Sequence, residues 1–175
     1  MKVRITQKSD AKQPLPETLS VMSRYKLQDA VNRSNPRSFT LKLQQQPPYW
    51  LLNGRTFEME TVASNEIVKL NTVEVWEFDN QAGTGGMMET AHPMHLHGLQ
   101  FQVIERIVRP DMAAIRDQVS AGFTDEGLKD TVLVMPGEKV RFLVKFEHYA
   151  GLYLYHCHNL EHEDEGMMRN YRITA

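Results

Sequence analysis

The chain has 175 residues, 41% hydrophobic and 24% charged, and 20 basic against 22 acidic side chains leave a net charge of -2. That is the size of one domain plus a short appendage, and the balanced charge argues against a nucleic-acid-binding domain or a polybasic membrane anchor. No apolar run approaches the roughly 18 residues that span a bilayer, and the polar opening 1–10 is expected to carry no signal peptide.

Residues 1–37 differ from the rest. A possible strand at Lys2–Gln7 is followed by polar sequence broken by Pro14, Pro16 and Pro36, which reads as the tail of a preceding domain and a linker. From residue 38 onward the pattern is β. Ser38–Leu43, Glu66–Phe78 and Leu99–Val108 alternate with β-branched residues, and Asn53-Gly54 is a tight-turn dipeptide. Asp111–Val119 has a helical pattern, and Asn159–Asp164 one helical turn. Strands are expected at Thr131–Met135, at Glu138–Phe146 after the Pro136-Gly137 turn, at Tyr153–His158 and at Met168–Thr174. Seven or eight strands with one short helix predict an all-β sandwich or barrel.

Six of the seven histidines fall in two short segments, HPMHLH (92–97) and HCHNLEH (156–162), and the single cysteine lies inside the second. One cysteine excludes an internal disulfide and every structural zinc site that needs two thiolates. Several imidazoles grouped together each need a partner, which a metal supplies. His148 stands apart and reads as an ordinary hydrogen-bonded residue.

Strand parity divides the clusters. Side chains alternate between faces, so His156 and His158 point one way and Cys157 the other. By the same count His95 and His97 share a face and His92 takes the opposite one. One face thus collects His95, His97, His156 and His158. The other collects His92 and Cys157, and His162 and Met167 can fold back to join them. Two imidazoles, a thiolate and a weak thioether form the ligand set of a blue-copper electron-transfer site.

The segments HPMHLHG (92–98) and HCHNLEHEDEGMM (156–168) resemble the two C-terminal copper signatures of the multicopper oxidases, the family of laccases, bilirubin oxidase and cuprous oxidases. The resemblance spans about residues 49–175 and implies a Greek-key β-sandwich of the cupredoxin type, the third of three such domains, over residues 38–175. It implies a type 1 copper on His92, Cys157 and His162 with Met167 axial. It also implies a type 2 copper on His95 and a type 3 pair on His97, His156 and His158. Glu163 matches an acidic position that assists proton delivery.

The family oxidises a small reducing substrate, phenol-like or a cuprous ion, and reduces dioxygen to water at a cluster held by eight histidines. This sequence has four of the eight. The partners implied are therefore the remaining cupredoxin domains or a second chain, and the chain alone is expected to be inactive. A stand-alone blue-copper carrier and a homodimer building the cluster across its axis are the alternatives. Family members are usually exported, which implies a periplasmic or secreted protein. Met87, Met88 and Met94 near the first motif, and Trp50 and Trp76, read as core residues.

Overall fold

Among the described residues, alternating apolar side chains build ten strands in two sheets. The structure is a computed structural model that describes residues 2–7, 14–45, 48–81 and 89–175. The strands are β1 (Arg37–Gln45), β2 (Pro48–Leu52), β3 (Ile67–Lys69), β4 (Thr72–Asp79), β5 (His92–Leu96), β6 (Phe101–Val108), β7 (Thr131–Val134), β8 (Glu138–Phe146), β9 (Gly151–Cys157) and β10 (Met168–Thr174). Two short helices, α1 (Ala113–Val119) and α2 (Leu160–Asp164), lie where the sequence pattern puts them. One sheet has the order β2-β1-β4-β8-β6 and the other β3-β10-β9-β5-β7. This two-sheet β-sandwich is the cupredoxin-type fold expected.

The core lies between the sheets. Phe39, Trp76, Phe78, Phe142 and Phe146 come from the first sheet and meet Met94, Leu96, Tyr155 and Tyr171 from the second, all fully buried. Trp76 is the hub, with ring centroids of Phe39 at 4.7 Å, Phe146 at 5.4 Å and Tyr171 at 5.5 Å. Its indole N–H donates to Glu74 at 2.9 Å, so this large buried ring leaves no polar atom unpaired.

Three local readings of the sequence change. Lys2–Gln7 is not a strand: these residues form no ladder, and Val3 and Ile5 are exposed. Glu66–Phe78 is not one strand but two, because Asn71 adopts φ +63 and turns the chain between β3 and β4. The two halves then join different sheets, β3 parallel to β10 and β4 antiparallel to β8. An additional strand, β2, pairs with β1 ahead of the Asn53-Gly54 turn, where both residues have positive φ.

Residues 25–32 pack on the first sheet. Ala30 is buried beside Val73, the Tyr25 N–H donates to Gln102, and the Asn32 side chain exchanges hydrogen bonds with the main chain of Val75. Met87 and Met88 lie outside the described residues, whereas Met94 is fully buried in the core. Among the described residues no helix is long and apolar enough to cross a membrane.

Candidate metal centre

Strands β5 and β9 run antiparallel in a register that pairs Met94 with Cys157 and His95 with His156. The pleat does the rest. His92, Met94 and Leu96 are buried and alternate with the half-buried Pro93 and His95. Tyr155 and Cys157 face the same core, while His156 and His158 leave from the outer face of the sheet.

On the inner side the Cys157 Sγ lies 3.5 Å from His92 Nδ1 and 3.4 Å from His162 Nδ1, and all three residues are buried. β5 supplies His92, β9 supplies Cys157, and the single-turn helix α2 brings His162 back over the strand end. The return is fixed by main-chain bonds: the Met167 N–H donates to the His162 carbonyl at 2.8 Å and the Cys157 N–H to the Met167 carbonyl at 3.0 Å. The Met167 side chain is fully buried in the same apolar cluster as Cys157.

Burial, with the neighbouring His162, pushes the His92 imidazole down to about 3. Burial also lowers His162, and it raises the Cys157 thiol to about 11 against the opposing pull of the Asn159 N–H. At neutral pH the site therefore presents two neutral imidazole lone pairs beside a thiol. That donor set suits a soft, thiolate-preferring metal such as copper and does not suit calcium or magnesium. The residues fit copper.

On the outer side His95, His97 and His156 bring one ring nitrogen each within 4.8 Å of the others. His97 Nε2 and His156 Nε2 are 3.0 Å apart. The His158 ring completes the group at 5.7 Å from His95 and 5.4 Å from His156, centroid to centroid. Orientation comes from the opposite nitrogens. His95 Nδ1 meets the Asp130 carbonyl and the Thr131 hydroxyl at 2.9 Å, and His156 Nδ1 meets the Cys157 carbonyl at 3.0 Å. Each of these rings is left with Nε2 directed at the group, the arrangement that outer hydrogen bonds impose on metal-binding histidines. Burial and the other histidines lower the titration of His97, and burial lowers that of His156. Glu163 Oε2 stands 3.4 Å from His156 Nδ1. His148 joins neither group and is exposed beside Glu147.

Two features escaped the sequence reading. Trp50 is a wall of the inner cluster as well as a core residue: its ring centroid lies 3.9 Å from that of His162 and 5.1 Å from that of His92. Glu66 and Arg169, 103 positions apart, form a fully buried pair with two hydrogen bonds of 2.9 Å, and Tyr155 donates to the same carboxylate at 2.8 Å. Nothing in the local pattern around these residues signals either contact.

A fold of this kind with two such donor groups belongs to a class of copper proteins, and comparison with known proteins agrees. The multicopper oxidase family model matches residues 30–175. The laccase of Haloferax volcanii is 43% identical over 117 residues, covering 67% of this chain and 18% of the relative. The laccase of Bacillus subtilis is 36% identical over 138 residues, covering 73% and 25%. The crystal structure of the McoA multicopper oxidase from Aquifex aeolicus aligns with a TM-score of 0.72 at 32% identity, over 95% of this chain and 34% of that one. The chain belongs to the multicopper oxidase family. It spans only a fifth to a third of the length of these relatives.

Proposed function

We propose that this chain is the C-terminal copper-binding domain of a multicopper oxidase, with residues 38–175 as the domain and residues 1–37 as the tail of a preceding domain and its connector. In this reading His92, Cys157 and His162 would hold a type 1 copper, with the buried Met167 as a further, weaker donor. His95 would serve a type 2 copper and His97, His156 and His158 a type 3 pair, half of an eight-histidine cluster that four histidines of another domain, or of a second chain, would complete. Copper bound at these positions would supply one-electron chemistry, taking electrons from a small reducing substrate, phenol-like or cuprous, for the reduction of dioxygen to water. The chain's own contribution is connection and protons. Cys157 is joined through single peptide units to His156 and His158, so a continuous bonded path links the two faces. Glu163 Oε2 faces the His156 Nδ1–H as an acceptor, which puts a carboxylate able to take up and release protons beside the outer group. Export to the periplasm or exterior belongs to the same proposal and rests on the family alone.

The observation that carries the reading is the pair of donor groups on opposite faces of one strand. A stand-alone carrier needs only the inner group and leaves four converging imidazoles without a use. The test is to load the chain with Cu(II) and record visible absorption, copper stoichiometry and oxygen uptake. The expected result is an intense thiolate-to-copper band with no oxygen uptake until the remaining domains are supplied. A colourless copper-loaded chain overturns the type 1 assignment. Oxygen uptake by the chain alone points instead to a cluster built between two copies.

A further inference from the structure

Hydrogen bonds from outside the donor groups hold three of the six clustered histidine rings on the side turned away from their group. His92 Nε2 has the Thr90 hydroxyl at 3.4 Å, His95 has Asp130 and Thr131, and His156 has the Cys157 carbonyl. Among the described residues, hydrogen bonds reach His162 only at Nδ1, the atom directed at Cys157. Its ring also sits on a five-residue helix at the surface, where the preceding Leu160 is 67% exposed. Yet His162 itself is only 8% exposed. What covers it is Trp50, whose indole lies at 33° to the imidazole and 3.9 Å from it. The same indole meets the His92 ring edge-on at 71°. Trp50 reaches this position because β2, at the edge of the first sheet, pairs Trp50 with Leu43 and turns its side chain toward the second sheet.

We propose that Trp50 is a positioning residue for His162. Its flat face takes the place of the missing outer hydrogen bond, fixes the imidazole plane so that Nδ1 stays aimed at Cys157, and keeps water from that edge of the site. The inference rests on the type 1 reading for its consequence in copper binding, but the ring contact exists without metal. A residue that merely fills the core needs volume at this position. A positioning residue needs a planar face, so phenylalanine should substitute where leucine and methionine do not.

The experiment uses the chain with ¹³C at histidine Cε1, compared as wild type, Trp50→Phe, Trp50→Leu and Trp50→Met. Ring order is read by relaxation in metal-free protein, and affinity is read by titration with Co(II), which does not oxidise the thiol. In Trp50→Leu and Trp50→Met the His162 ring should lose order while His97 and His156 keep theirs. Co(II) affinity at the cysteine site should fall about 10- to 100-fold, the usual effect of removing a residue that orients a metal ligand. Trp50→Phe should restore most of both. If one aliphatic variant fails to fold, the other carries the comparison with Phe. Equal His162 order across all variants overturns the proposal, as does loss of order in Phe equal to that in Leu or Met. A colourless copper-loaded wild type would remove the type 1 reading while the metal-free ring order still decides the role of Trp50.

Discussion

Cys157 and His156 are consecutive residues that belong to different pockets. The Cys157 sulfur lies 3.4 Å from His162 Nδ1 on the core side of the sheet, and His156 Nε2 lies 3.0 Å from His97 Nε2 on the outer side. A substitution at one position should therefore leave the other pocket intact. In Cys157→Ser the copper-loaded chain should lose its intense visible band, because a hydroxyl cannot supply the soft charge-transfer ligand. Metal binding by the outer histidines should persist when the chain is supplied with the further domains proposed for the complete oxidase. Visible absorption and paramagnetic resonance of the same samples separate the two effects. A band of unchanged intensity would mean that the sulfur is not a ligand.

Met167 and Met168 separate in the same way. Met167 is fully buried in the apolar cluster with Cys157, whereas Met168 opens β10 opposite His156 and is half-buried. Met167→Leu should retain copper and raise its reduction potential, the outcome expected on losing the weak axial donor proposed for the oxidised ion. Met168→Leu should leave the potential where it was. Redox titration of the visible band distinguishes them, and the opposite pattern would transfer the axial role to Met168.

The division of donors between two faces was legible in the sequence because it needs only strand parity, and parity survives errors in strand boundaries. His92, His95, His97, His156, Cys157 and His158 could therefore be sorted without knowing where β5 or β9 ends. What parity cannot supply is the identity of the facing sheet. Trp50 lies on β2, where Trp50, Leu51 and Leu52 are all buried and leave no alternation to read, and its contact with His162 depends on how the two sheets are stacked. The Glu66–Arg169 pair is hidden for another reason: Glu66 leads into β3 and Arg169 lies on β10, neighbours in one sheet but 103 positions apart, and each reads locally as a surface charge. The division of Glu66–Phe78 into two strands was missed because Asn71 at φ +63 is a single-residue event inside a β-rich run.

Glu66 makes the fold acid-sensitive. Burial alone raises its carboxyl, but hydrogen bonds from Arg169, the Ala63 N–H and Tyr155 outweigh burial, and its titration falls below the ordinary value of 4.5. A carboxylate lowered in the folded state stabilises fully above its unfolded value, and that stability is lost as pH falls through the folded value. Denaturant midpoints should already decline below about pH 6.5, where unfolding lets the buried imidazoles of His92, His97, His156 and His162 take up protons, and Glu66 should add a further decline below about pH 4.5. At neutral pH Glu66→Gln leaves Arg169 buried without its counter-charge and should cost about 3–5 kcal/mol. The gap between variant and wild type should narrow as pH falls below 4, and a gap independent of pH would show that the pair contributes through packing alone. Tyr155 lies two residues before Cys157 and Arg169 two after Met167, so the same variant should also weaken metal binding at the inner site.

Gly98 and Gly54 offer a controlled comparison of strain with crowding. Both have positive φ, +79 and +72. A Cβ at Gly54 would meet nothing within 4 Å, whereas one at Gly98 would come within 2.6 Å of the Tyr153 ring. Gly54→Ala should therefore cost only the left-handed backbone penalty, about 1–2 kcal/mol. Gly98→Ala adds overpacking of about 1–3 kcal/mol, because Tyr153 cannot move freely: it stacks on Tyr171 at 5.4 Å and 22°. Tyr171 in turn donates its hydroxyl to the His97 carbonyl at 2.6 Å. A shift of Tyr153 is thus passed to the residue that faces His156 across the outer group. The expected outcome is that Gly98→Ala is the less stable variant in chemical denaturation and is alone in shifting the His97 ring resonances. If the two alanine variants prove equal in stability and leave His97 untouched, the Tyr153–Tyr171 stack does not support the outer histidines.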